Sequence, residues 1–149
     1  MNRLEVLSQI LSPPGTLANR GYNPRQDVGG AGGVDVVSRP TLTAIRPGRL
    51  CHFVGDGTTA LADGTKPFAG VGLLDPQAPV NCYDPHDVVP MVRQGTVWVE
   101  LDPSSGVPTD GAGVYLATSG RLSTAPGILV DGMCWLGGTA ATGLVEVNL

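Results

Sequence analysis

Two histidines, three cysteines and one glycine cluster are the residues of this chain whose types could do chemistry. His86 stands in Asp84-Pro85-His86-Asp87, and an Asp-His-Asp set can hold a metal or relay a proton. Such work also needs a nucleophile or a water held beside it, and Asp next to Pro is the usual composition of a solvated turn. His52 lies in the apolar run Cys51-His52-Phe53-Val54, which reads as a core strand. Cys51, Cys82 and Cys134 show no CxxC pairing, and neither histidine completes a zinc set with them. The Gly29–Gly33 segment could cradle a phosphate only between an apolar strand and a helix, and neither pattern flanks it. No GxSxG, HExxH, Walker or EF-hand spacing occurs. The expectation is therefore no catalytic residue, no cofactor, no metal and no enzyme activity.

Composition points to a protein that works through its surface. With 149 residues, the chain fits one domain, and 42% hydrophobic content suits a packed core. Only 15% of residues are charged, below the usual quarter, which suggests an exterior that is covered in use. A net charge of −4 argues against nucleic acid as a partner. The charge is uneven. Residues 1–50 hold six arginines (Arg3, Arg20, Arg25, Arg39, Arg46, Arg49) against Glu5, Asp27 and Asp35. Residues 51–149 hold Lys66, Arg93 and Arg121 against ten acidic residues. A basic segment before an acidic body can pair head to tail with a neighbour, or grip an acidic partner. Unpaired cysteines and no signal-peptide pattern suggest synthesis in a reducing cytoplasm. No apolar run approaches the ~20 residues that a membrane helix needs.

The elements that carry these residues are short and β-type. Twenty-two glycines and 13 prolines leave little room for long helices. Residues 4–11 place Leu4, Leu7, Ile10 and Leu11 at helical spacing, and Pro13-Pro14-Gly15 stops that turn. Residues 1–33 read as an extended N-terminal arm, and 34–149 as a β-rich domain. Candidate strands are 34–38, 41–45, 49–54, 68–74, 87–93, 96–101, 113–118, 132–136 and 143–149, with turns at 46–48, 55–58, 62–65 and 94–95 among others. The expected fold is all-β, a compact barrel or sandwich of short antiparallel strands. In 96–101, Val97, Val99 and Leu101 share the inner face and Trp98 points out. Trp98 and Arg93 are thus candidate partner-binding residues, joined by Arg20, Tyr22 and Arg25 of the arm.

From residue 46 to about 122 the chain runs RPGRLCHFVGDGT, then AGVGLLD, then the block from Tyr83 to Val99, then GVPTDGAGVYLATSGRLS. In this order the pieces resemble the structural cement, or head decoration, proteins of tailed bacteriophages. The resemblance departs at Asp84-Pro85-His86-Asp87, where a Gly-Asp turn is more typical of the family. The resemblance implies a non-enzymatic virion protein, made in the host cytoplasm, that binds the outer capsid surface. Its partners would be the major capsid protein, which it would bridge, and further copies of itself in a dimer or trimer. Neither nucleic acid nor membrane is expected. The alternative is a β-rich tail or fibre accessory domain, or a carbohydrate-binding module.

Overall fold

The computed structural model describes residues 13–18, 34–74 and 82–149. Nine strands form one antiparallel sheet: β1 (Asp35–Pro40), β2 (Leu50–Gly55), β3 (Thr58–Leu61), β4 (Phe68–Gly72), β5 (Val88–Glu100), β6 (Gly113–Leu116), β7 (Leu122–Ser123), β8 (Ile128–Gly138) and β9 (Thr142–Asn148). The strand order is β3-β2-β4-β5-β9-β8-β6-β7, and β1 also pairs with β5. The sheet curls at both ends. Thr41, just after β1, bridges Thr59 of β3, and Leu101, just after β5, bridges Leu122 of β7. The all-β class is as the sequence indicated. A single 3-10 turn at Thr118–Gly120 is the only helix among the described residues.

The strand plan differs from the expected one in several places: β7 lies in no expected strand, β8 starts at Ile128 instead of at 132, and the middle of the chain is divided differently. Segments 87–93 and 96–101 fuse into the 13-residue β5, and the expected turn at Gln94-Gly95 lies inside it. β3 occupies residues read as the link between two turns, and 41–45 forms bridges but no strand. Gly-containing turns punctuate a chain equally well when they sit between strands or within a bulged one, so composition does not separate the two cases.

The fused strand explains how one sheet serves two cores. Val89 and Met91 belong to a small cluster with Ile45, Cys51, Ala69 and Tyr83. Val92, Val97, Val99 and Leu101 belong to a larger one around Trp135, Leu50 and Val71. Val92 and Val97 are five residues apart, so strict alternation would put them on opposite faces. An irregularity removes the conflict: Val36 of β1 pairs with Val92, whereas the adjacent Asp35 pairs with Gln94. β5 therefore carries one extra residue, Arg93, and Gly95 just beyond it takes φ +136°. Leu50, Val71 and Val92 form a register row across β2, β4 and β5, each fully buried on the larger core. Met91 and Ala69 face the smaller core from the same strands, so the centre of the sheet is buried on both sides.

Residues 13–18, read from sequence as arm outside the core, lie along the edge of β5. Gly15 N donates to Trp98 O at 2.7 Å, Trp98 N to Thr16 O at 3.0 Å and Ala18 N to Thr96 O at 2.9 Å. Leu17 packs against the larger core. Residues 1–12, with the expected helical turns, and 19–33 lie outside the described residues. Replacing Leu17 by Ala should cost about 1–2 kcal/mol, roughly half the penalty of a fully buried leucine, in urea unfolding. A second close contact is set by Gly143, where a Cβ would stand 2.2 Å from the Trp135 ring. Gly143→Ala should destabilise by about 1–3 kcal/mol, the usual cost of overpacking, read as a lower unfolding midpoint with unchanged m-value.

Candidate interaction surface

Because Val97, Val99 and Leu101 turn inward, Thr96, Trp98 and Glu100 form the outer row of β5. Trp98 is half-buried, as an outward tryptophan on a sheet face would be. Its register partner on β9 is Leu144, which is only 7% exposed. Cross-strand neighbours of this kind shelter each other, so Trp98 has a seat on the outer face without entering the core. The arm segment 15–18 lies beside Trp98 in the sheet, bonded to its backbone.

Arg93 reaches the same side of the sheet as Trp98 only because of the extra residue in β5; five positions of plain alternation would separate them. Its guanidinium lies 5.0 Å from the centre of the Phe53 ring and donates to Ala69 O at 3.2 Å. Of the five residues expected to bind a partner, Arg93 and Trp98 are thus placed on one face. Arg20, Tyr22 and Arg25 lie outside the described residues.

One charged cluster went unnoticed in the sequence. Arg49, 8% exposed, donates through Nε to Glu100 Oε2 at 3.0 Å, and Arg121 donates to Oε1 at 3.2 Å. Arg49 also reaches Ser119 O at 3.5 Å. The three charges come from the turn before β2, the end of β5 and the turn before β7, so their sequence separations gave no signal. Burial pushes the Glu100 carboxyl up, but the hydrogen bonds and charges of Arg49 and Arg121 outweigh it and hold the group below the ordinary 4.5. Glu100 also lines a groove of about 510 Å³, together with Pro13, Pro14, Pro47, Ala141 and Thr142.

The residues considered for chemistry have structural places. His52 is buried in β2, with Nδ1 3.4 Å from Asp63 Oδ1. His86 sits at φ +77° in a turn closed by Asp84 N donating to Asp87 Oδ2 at 2.9 Å. Burial pushes the Cys51 thiol up to about 12, so it stays protonated and weakly nucleophilic at neutral pH. Among the described residues, no three His, Cys, Asp or Glu gather as a metal site.

Glu100 has its pKa lowered on folding, so its stabilising effect is full above the unfolded value and is lost as pH falls through the folded one. Glu100→Gln should cost about 1–3 kcal/mol at pH 7, the range for hydrogen bonds to charged groups. The difference from wild type should hold down to near pH 4.5 and shrink below it, as read from denaturant melts at stepped pH.

A family model described as structural cement protein (E217 gp24/Pam3 gp6) matches residues 14–149. Among solved structures, the chain is similar to one in "The capsid of Myoviridae Phage XM1". That likeness has a TM-score of 0.70 at 17% identity and covers 91% of this chain and 89% of the other. No curated protein matches the chain.

Proposed function

Since this chain belongs to the structural cement protein family, we propose that it seats on the outer surface of a phage capsid and bridges neighbouring capsid subunits. It is a capsid-associated structural protein of the virion, as its family defines. The observation that carries the reading is the extent of the match, which runs from the arm segment at residue 14 to the last residue. The match also takes in both cores and the whole outer face of β5. The fold shared with a chain of a phage capsid structure supports it.

The physical role of such a protein is additive. Each contact is modest, but icosahedral symmetry repeats it, and a copy that touches two subunits gains from linking them. Copies that associate as dimers or trimers extend the linkage. The role is non-enzymatic. Trp98 and Arg93 are the contact residues on the described face, and Arg20, Tyr22 and Arg25 add contacts from residues 1–33, most of which act as an arm toward a neighbour. A carbohydrate-binding reading loses two of the chain's five Trp and Tyr residues, because Trp135 is fully buried and Tyr83 is 6% exposed.

The test is co-sedimentation of the purified chain with phage heads that lack it. Pelleting should saturate at a fixed ratio of chain to capsid subunit, and loaded heads should rupture at a higher temperature. Heads that neither bind the chain nor gain heat resistance would sink the proposal. Trp98→Ala should weaken this binding by about 2 kcal/mol, the threshold of an interface hot spot, with the circular dichroism spectrum unchanged. Unaltered binding per folded molecule, together with a melting point lower by many degrees, would make Trp98 a packing residue instead.

A further inference from the structure

Phe53, carried by β2, sits half-buried at the rim of the smaller core. Two guanidiniums lie over its ring, Arg39 at 5.1 Å and Arg93 at 5.0 Å from the centroid. They arrive from different strands. Arg39 stands on β1 opposite Val89, and Arg93 is the extra residue of β5. Two cations drawn to one aromatic ring repel each other, and the ring's quadrupole offsets only part of that repulsion. Among the described residues, neither has a carboxylate within 4.0 Å. The three ion pairs found there join Arg49 and Arg121 to Glu100 and His52 to Asp63. Arg93 uses one donor on Ala69 O, and Arg39 makes no side-chain hydrogen bond among the described residues. Most of the ten N–H donors of the pair therefore remain unspent.

We propose that Arg39, Phe53 and Arg93 form a carboxylate-binding cradle, and that its occupant is an acidic side chain on a second copy of this chain. The inference rests on the reading that copies associate on the capsid. The ring and the Ala69 carbonyl hold the guanidiniums in place, so little side-chain freedom is lost when a carboxylate docks. The planar forks suit a bidentate acceptor, and a carboxylate relieves the repulsion between them. A second copy has the matching charge. Residues 51–149 carry ten acidic groups against three basic ones, and Asp84, Asp87, Asp110 and Asp131 are exposed. In a chain so poor in charge, two guanidiniums on one ring, neither with a carboxylate partner among the described residues, make a distinct positive site.

Sedimentation velocity of the full chain over a concentration series, at low and high salt, tests this. Two double variants accompany it, Arg39→Gln/Arg93→Gln and Arg39→Lys/Arg93→Lys, each with a thermal melt. The wild type should self-associate, and less so at high salt. The Gln pair should raise the dissociation constant about tenfold or more, and the Lys pair should fall between, because it keeps the charge without the fork. A wild type that stays monomeric, or a folded Gln pair that associates normally, overturns the proposal. If the Gln pair melts early, undiminished association of a folded Lys pair overturns it instead. Co-sedimentation with heads is run in parallel. A wild type that self-associates but does not pellet with heads sinks the capsid reading and leaves the cradle standing. A Gln pair that self-associates normally but no longer pellets assigns the cradle to the shell, and the second-copy occupant is then wrong.

Discussion

The molecule depends on one extra residue in one strand. β5 is 13 residues long and lies at the centre of the sheet. A regular strand of that length would show the same face to one core throughout. The irregularity at Arg93 switches which residues face inward, so that Val92 before it and Val97 after it both face the larger core. Before it, Val89 and Met91 fill the smaller core; after it, Val97, Val99 and Leu101 fill the larger. Both clusters are built on this one backbone, so neither can shift register without moving the other. The same irregularity leaves Arg93 and Trp98 on one side of the sheet, where Arg93 meets Phe53.

Charge is scarce in this protein and is used locally. Three of its charged groups converge on the Arg49–Glu100–Arg121 cluster, which ties the start of β2, the end of β5 and the turn before β7 together. Arg49 is buried, so this cluster is costly to break although it adds little when formed. Two further arginines sit on Phe53. The outer row of β5 sets Thr96, Trp98 and Glu100 opposite Glu146, Leu144 and Thr142 of β9, with the half-buried tryptophan between two acidic positions.

The edges of the sheet receive similar care. β5 bonds β9 along one side of its second half, and residues 15–18 cover the other side. An open edge there would offer unpaired N–H and C=O groups to any neighbouring strand. The arm segment satisfies them from within the chain, and Leu17 anchors it to the larger core.

Much of the architecture was legible in the residues themselves. The glycine and proline content excluded long helices, and the alternation in 96–101 assigned Val97, Val99 and Leu101 inward and Trp98 outward, as found. Alternation is a local, two-residue property of the backbone, so it survives in the sequence. Hairpin punctuation likewise carried the family resemblance that the match over residues 14–149 establishes. Three things were decided only by the tertiary structure. Gln94-Gly95 reads as a turn, but pairing with β1 and β9 on either side makes it part of a continuous strand. Residues 13–18 read as loose arm, but the free edge of β5 recruits them. Glu100 reads as one more surface acid, but two arginines 51 and 21 residues away converge on it. Each of these rests on partners distant along the chain, and a sequence records residue types in order without recording which of them will meet.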